Sequence, residues 1–268
     1  MGMYNTVYYG GDYQDGDRDM IIQLYPNFPG QLDSVNQKGT TITEPLKQAC
    51  EELLNYNSID YYKIEWFNVE WDDYNYPEIE RNDDDNGNDV NWGGEFWNYL
   101  KNERQYGDPN NGTGSDLTQL RGVHYLVHDW DCEAGLVGGY EGTYSCEGSG
   151  STAFTTGYAM WTSDTCLPND LERNSAIQEA LHPFILENEA YYDGDGDGTP
   201  LYNKNDEHSA GEITSQDRIT PMVTYHTNED DVVGEGECAA NGDFDGYTQY
   251  LTWCTKKAVK RTASLDCI

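Results

Sequence analysis

The sequence predicts an α/β domain, in which a mixed β-sheet packs against helices and is followed by an irregular C-terminal part. Short apolar runs and one alternating segment, which are typical of strands, are interspersed along the chain with segments whose apolar residues recur at helical spacing. The predicted order is strand, helix, strand, helix, strand, strand, helix. The 22 Tyr, 7 Trp and 6 Phe residues supply the large side chains of a core and argue against a disordered acidic chain.

Individual elements follow from these patterns. The predicted strands are 19–26, 61–71, 122–129 and 152–163, and the predicted helices are 43–55, 92–105, 169–185 and 247–262. The first helix is expected to take Thr43 as its N-cap, with Pro45 in its first turn. Pro183 is expected to bend or end the third helix early.

One compact domain with two subdomains is expected. Residues 1–185 hold the predicted sheet and end in the helix 169–185, whereas residues 186–268 form an irregular C-terminal subdomain. The final helix closes this subdomain, and four of its side chains are predicted to face the core. These are Tyr250, Leu251, Cys254 and Ala258.

Acidic residues dominate the charge. Asp and Glu total 49 against 15 Lys and Arg, which gives a formal net charge of −34 at pH 7. Such a charge opposes folding in dilute buffer, but in molar salt the Debye length is only about 3 Å and the repulsion is screened. The pattern resembles that of proteins from salt-loving archaea, so the chain is expected to be halophilic. It argues against nucleic acid as a partner, and the lack of a long apolar run argues against membrane insertion.

The cysteine content favours an oxidising environment. The seven cysteines are Cys50, Cys132, Cys146, Cys166, Cys238, Cys254 and Cys267. No two of them form a CxxC pair, so a structural zinc knuckle is not expected. Cys132 with Cys146, and Cys238 with Cys254, bracket short segments that disulfides can close. The odd count leaves at least one thiol that is free or paired between chains. We therefore expect an extracellular or cell-surface protein whose leader peptide lies outside this sequence.

The predicted helix 169–185 carries a candidate metal-binding motif. Gln178 and His182 stand one turn apart on one face, and Glu179 stands between them in sequence. This spacing allows two side chains to bind one metal ion while the intervening carboxylate activates a bound water.

This motif resembles the His-Glu-x-x-His helix of metzincin-like zincin metallopeptidases, with Gln178 in the place of the first histidine. The order of elements is also similar, because the sheet strands precede the motif helix. Residues 220–223, Thr-Pro-Met-Val, resemble the Met-turn of metzincins. The resemblance implies a zincin-like fold, a zinc ion and hydrolysis of peptide bonds, with Met222 beneath the metal and Glu179 as the catalytic base.

The resemblance implies three zinc ligands, Gln178, His182 and His208. Gln178 departs from the family pattern, because an amide oxygen is a poorer zinc ligand than an imidazole. The third histidine of the family motif would stand at position 188, where this chain has Asn188. His208 is therefore taken as the third ligand, with His226 in reserve.

Two other interpretations stay open. A QExxH string also arises by chance on an amphipathic helix, in which case His182 is an ordinary core or surface residue. Alternatively, a zincin-like scaffold without its first histidine can serve as an inactive extracellular binding or surface-assembly protein. His124 and His128 fall on one face of a predicted strand and are interpreted as structural. If the site is active, its substrate is a peptide or protein.

A second ion site is predicted where the chain reads Asp-Gly-Asp-Gly-Asp-Gly. Asp193, Asp195 and Asp197 alternate with glycines that permit a tight wrap, and hard carboxylate oxygens at this spacing suit Ca²⁺. The segment is not a complete EF-hand loop, because Lys204 stands at the twelfth position. The alternative is an acidic turn in an already acidic protein.

The unfolding temperature is expected to rise steeply between dilute buffer and molar NaCl or KCl, because salt screens a net charge of −34. Circular dichroism or calorimetry across a salt series measures this dependence. An unfolding midpoint that hardly changes over the series contradicts the halophilic interpretation.

Overall fold

The computed structural model describes residues 7–13, 18–26, 32–66, 122–128, 156–162, 169–181, 184–185, 210–223 and 244–263. The strands in these ranges are β1 (Val7–Gly11), β2 (Asp19–Pro26), β3 (Tyr61–Trp66), β4 (Gly122–His128), β5 (Thr156–Thr162), β6 (Arg218–Ile219) and β7 (Gly246–Tyr247). The helices are α1 (Leu32–Asn55), α2 (Asn169–Leu181) and α3 (Trp253–Ala263). None of these helices is long and apolar enough to cross a membrane.

The first five strands form one mixed sheet in the order β1-β3-β2-β4-β5. β1 runs antiparallel to β3. The four strands β3, β2, β4 and β5 run parallel to one another. Ile22 in β2 lies between Ile64 of β3 and Val123 of β4, and all three side chains are fully buried. This row places the centre of the core at β2. β6 and β7 form a separate parallel pair.

The helices cover the sheet through their apolar faces. In α1 these are Leu46, Ala49, Cys50 and Leu53, and in α2 they are Ala176, Ile177, Ala180 and Leu181. α1 packs against both β3 and α2, and all these side chains belong to one buried cluster. The expected α/β architecture of a mixed sheet with packed helices is therefore confirmed.

The predicted strands and the helix at 169–185 agree in type with the described elements, whereas the final helix, predicted from Tyr247, begins only at Trp253, and Tyr247 belongs to β7. β2 has the predicted bounds, and β3, β4 and β5 lie within the predicted strands. The alternation of β3 buries Tyr62, Ile64 and Trp66. α2 ends at Leu181, two residues before Pro183, as the fixed backbone of proline requires. The helix predicted at 92–105 lies outside the described residues.

The predicted start of the first helix was wrong. α1 begins at Leu32, and Pro45 stands inside it. Thr43 is therefore an interior residue instead of the N-cap, and its buried Oγ1 accepts a hydrogen bond of 2.9 Å from Trp66 Nε1. Burial of Ile42, Thr43 and Leu46 against the sheet outweighs the local cost of a proline inside the helix.

The C-terminal segments share the core of the sheet layer. Ala210, Met222, Leu251, Cys254 and Ala258 belong to the same buried cluster as the residues of β2 and α1. Described segments on both sides of residue 185 are thus packed into one core.

Tyr250 does not face the core, contrary to the prediction for the final helix. Its side chain is 66% exposed, because α3 begins only at Trp253 and Tyr250 lies before the helix. Thr252 Oγ1 accepts a hydrogen bond of 2.9 Å from Thr255 N, which is the pattern of an N-cap. Within the helix, Cys254 and Ala258 are buried as predicted.

The two cysteines in the described part of the chain differ in state. Cys254 is disulfide-bonded. Its predicted pairing with Cys238 stays a prediction, because Cys238 lies outside the described residues. Cys50 is a buried free thiol, and burial raises its pKa far above the ordinary value.

Tyr62 is expected to make stability depend on alkaline pH. Burial, and then the charges of Glu51 and Cys50, raise the pKa of Tyr62 to about 12. The folded state therefore favours the neutral phenol, so this contribution to stability is present below about pH 10 and is lost as the pH rises toward 12. Tyr62→Phe should make the loss of unfolding free energy over this window less steep in denaturant titrations.

The matched control for this experiment is Tyr9→Phe, because Tyr9 is 70% exposed. Burial also raises the pKa values of Tyr61 and Tyr247, so part of the alkaline loss should remain in Tyr62→Phe. An identical pH profile for Tyr62→Phe and the wild type contradicts the assignment.

Candidate metal centre

α2 holds a polar pair in the protein interior. Asn174 and Gln178 lie one turn apart on this helix, so their side chains share one face. They are 0% and 1% exposed, respectively. Amides at such depth need hydrogen bonds or another ligand to offset the loss of water.

The side chain of Asn174 meets this requirement at its nitrogen through the C-terminal segments, whereas its Oδ1 is buried and has no hydrogen-bond partner within the described ranges. Its Nδ2 donates to the backbone oxygens of Ile219 at 3.0 Å and Thr248 at 2.7 Å. Carbonyl oxygens only accept, so these two contacts fix which end of the amide faces them. The face of α2 that carries Asn174 therefore lies against the chain that leads into residues 220–223.

Gln178 does not meet this requirement. Its Oε1 is buried and has no hydrogen-bond partner within the described ranges. An unpaired buried polar group typically costs about 1–3 kcal/mol. This oxygen is free to accept a hydrogen bond or a ligand, as is Asn174 Oδ1 one turn earlier in the helix.

Residues 220–223 form a hydrogen-bonded turn, which we call the Pro-Met turn. Val223 N donates to Thr220 O at 3.2 Å, and Pro221 stands at the second position, where proline favours a turn. Thr220 Oγ1 accepts from Glu212 N at 2.8 Å and donates to Glu212 O at 3.0 Å. Met222 is fully buried in the main core cluster. The turn is therefore held by the hydrogen bonds between Thr220 and Glu212 and by the burial of Met222.

The first turn of α3 fixes the chain just after His208. The oxygen of Ala210 accepts hydrogen bonds from Thr252 Oγ1 at 2.8 Å and Thr255 Oγ1 at 2.9 Å. Ala210 is itself buried. The polypeptide two residues beyond His208 is thus anchored in the same core as the Pro-Met turn and α2.

The structure covers the predicted site residues in part. Gln178 and Met222 are both described and both buried in the region just outlined. Glu179 lies within α2, but its side chain is outside the described set, as are the side chains of His124 and His128 in β4. The remaining predicted residues lie outside the described ranges, and they are His182, His208, His226, Asp193, Asp195 and Asp197. Among the side chains that are described, no cluster of three His, Cys, Asp or Glu residues forms.

Asn174 is the residue of this region that sequence reasoning missed. A signal for it was present, because Asn174 stands four residues before Gln178 and so shares its helix face. Its bonding partners, Ile219 and Thr248, are distant in sequence, so the spacing alone could not identify its role.

Comparison of the sequence with models of known protein families and with curated proteins finds no match.

Gly211 is expected to be intolerant of a side chain. A Cβ at this position would meet the backbone of Met222 and come within 2.5 Å of Val223 Cγ2. Gly211→Ala should therefore push the Pro-Met turn out of place and destabilise the fold by about 1–3 kcal/mol, as overpacking does. Denaturant unfolding measures the loss.

Gly246→Ala is the matched control. Its Cβ would also meet a neighbour at short range, but that neighbour is the guanidinium end of Arg218, which can move aside. A Gly211→Ala protein as stable as Gly246→Ala would contradict a tight contact at the Pro-Met turn.

Proposed function

We propose that this chain is a secreted, salt-adapted protein of zincin-like architecture with a metallopeptidase-type metal site in which Gln178 replaces one imidazole. The observation that carries the proposal is the buried, unpartnered Oε1 of Gln178. Gln178 stands four residues before His182 in the sequence. It shares its helix face with Asn174, whose Nδ2 donates to Ile219 O just before the Pro-Met turn. A ligand at this point supplies the partner that the oxygen lacks.

The arrangement of elements supports the same proposal. The sheet precedes α2, and the Pro-Met turn follows it and buries Met222 in the shared core. The resemblance to metzincins expects this sequence of sheet, motif helix and methionine turn. Ala210, two residues after His208 in the sequence, is hydrogen-bonded to Thr252 and belongs to that same core.

The donor chemistry fits a metal ion that is held more weakly than by three imidazoles. Gln178 offers a neutral amide oxygen, whereas His182 and His208 offer imidazole nitrogens. Zinc accepts nitrogen and oxygen donors, but an amide oxygen contributes less than imidazole. We therefore propose a zinc site with reduced affinity.

Each residue has a stated task in the proposed reaction. The zinc ion, when bound, supplies a Lewis acid for the scissile carbonyl and for the attacking water. Glu179 takes the proton from that water and passes it to the leaving amine of the peptide substrate. His182 and His208 hold the metal, Gln178 completes the donor set, and the buried Met222 supports the floor of the site.

The competing function is a binding or surface-assembly protein on the same scaffold. It is favoured by the replacement of an imidazole by Gln178, which weakens the metal site. It is also favoured by exposed aromatic side chains, which suit contacts with other molecules. Those in the described ranges include Tyr9, Tyr13, Tyr250 and Trp253.

Calcium belongs to the proposal as a structural ion. Asp193, Asp195 and Asp197 would hold it in the segment that links α2 to the Pro-Met turn. An extracellular location is part of the proposal too, because both the disulfide-bonded Cys254 and the calcium site suit such an environment.

Zinc affinity and peptide hydrolysis at molar salt test the proposal. His182→Ala should abolish zinc binding and any hydrolysis, because it removes a strong nitrogen donor. Gln178→His should tighten zinc binding, because imidazole is the better ligand. Affinity is measured by competition with a chromophoric chelator, and hydrolysis with an unstructured protein substrate.

The control variant is His124→Ala, because His124 lies on β4 in the sheet and has no part in the proposed donor set. It should leave zinc affinity unchanged. If neither the wild type nor Gln178→His binds zinc, the metal site is refuted. If zinc binds without hydrolysis in either protein, the binding or assembly function is the correct one.

A further inference from the structure

We propose that the outer face of α3 is a docking surface for the acidic surface of a second copy of this chain, so that copies associate head to tail. Trp253, Lys257 and Lys260 stand at helical positions i, i+4 and i+7, which places them on one stripe of α3. We call these three residues the basic stripe. The opposite side of the helix is buried in the core. The inference does not depend on the proposed metal site.

The charge of α3 is opposite to that of the chain as a whole. Its 11 residues contain Lys256, Lys257, Lys260 and Arg261 and no Asp or Glu. The whole chain holds only 15 Lys and Arg against 49 Asp and Glu. The helix dipole favours cations in the last turn, which accounts for Lys260 and Arg261 but not for Lys257. A role at the surface is therefore needed to explain why the basic stripe extends beyond the last turn.

The two lysines of the basic stripe differ from other basic residues in how they are paired. Ion pairs with carboxylates are formed by Arg18, Lys47, Lys63, Arg218 and Lys256. In the described part of the chain, no ion pair joins Lys257 or Lys260 to a carboxylate. Lys257 Nζ lies instead 4.1 Å from the centre of the Trp253 ring, a cation–π contact that orients it on the surface. Both ammonium groups can therefore accept carboxylates from another molecule.

Two exposed aromatic side chains accompany these charges. Trp253 is 37% exposed, and Tyr250, which lies just before the helix, is 66% exposed. Trp and Tyr are enriched among the residues that dominate binding energy at protein interfaces. Burial of these rings against a partner gives an attraction that salt does not screen. The α3 surface thus combines aromatic anchors with unpaired cations.

Charge complementarity favours a second copy as the occupant. All 49 acidic residues of the chain lie outside α3, so each copy carries both members of the complementary pair. Two α3 helices repel each other, which excludes a symmetric contact between basic stripes. The contact is therefore heterologous, and such contacts close into rings or continue as filaments. This is the type of contact that a surface-assembly protein needs.

Association is expected to strengthen as salt is added. In dilute buffer, the net charge of −34 on each copy opposes their approach over a long range. At molar salt the Debye length is about 3 Å, so this repulsion is screened while direct contacts and aromatic burial remain. An interface held by ion pairs alone would show the opposite dependence on salt.

Sedimentation velocity over a range of protein concentrations tests the proposal. It is run across a salt series in which circular dichroism shows the chain to be folded. The mass of the wild type should rise with concentration beyond that of a dimer. Changing Lys257→Gln and Lys260→Gln together should weaken association about tenfold, because two contact pairs are lost. Trp253→Ala should weaken it about as much, since it removes an anchor and the contact that orients Lys257.

The matched control changes Lys47→Gln and Lys63→Gln together. It removes the same charge, but these lysines lie on α1 and β3 and are paired with Glu51 and Glu65. The control should associate as the wild type does. A wild type that stays monomeric overturns the proposal, even if polyglutamate binds to it, because the occupant is then not a second copy. A mass that stops at a dimer, or equal association of the two double variants, also overturns it.

Discussion

Hydrogen bonding of the backbone oxygens in the described C-terminal segments is the constraint on which those segments depend, because their sheet is only the two-residue pair of β6 and β7. Such groups must find donors, or they oppose folding. Side chains act as these donors in the described segments. The side-chain amide of Asn174 donates to the oxygens of Ile219 and Thr248. The hydroxyls of Thr252 and Thr255 donate to the oxygen of Ala210, and that of Thr220 donates to the oxygen of Glu212. A few hydroxyl and amide groups thus add to the backbone bonds, such as those that Ile219 O and Glu212 O accept from Thr248 N and Thr220 N. The same groups fix the parts of the chain on which the candidate site is built.

Local patterns could predict the elements but not the way they pair. A short apolar run ended by Pro26 sufficed for β2, period-two alternation sufficed for β3, and Pro183 sufficed for the end of α2, because each depends on neighbouring residues. The order β1-β3-β2-β4-β5 depends on contacts between distant segments, and no spacing in the sequence encodes it. Thr43 was misjudged for the same reason, since its hydrogen bond to Trp66 crosses from helix to strand.

The candidate site shows the same division. Gln178 and Met222 were identified from motif spacing, and the structure buries both of them. The roles of Asn174 and Ala210 could not be found in this way, because their bonds join residues more than forty positions apart. The motif predicts a set of donor groups. The hydrogen bonds of Asn174 and Ala210 fix the positions of α2 and of the chain around the Pro-Met turn, and no spacing in the sequence encodes those positions.

Strand β1 bears on whether copies of this chain would pair edge to edge at molar salt. Charge repulsion, which normally keeps acidic proteins apart, is screened at molar salt, so an open sheet edge becomes a site of aggregation. β1 covers the edge of β3 with only five residues, and Asp12 N extends the pairing to Asp60 O at 3.1 Å. Gly10 lies so close to the ring of Tyr62 that a Cβ there would come within 2.5 Å of it. A short, glycine-bearing strand is a poor template for further pairing, so its backbone geometry opposes edge-to-edge association even where salt screens the net charge.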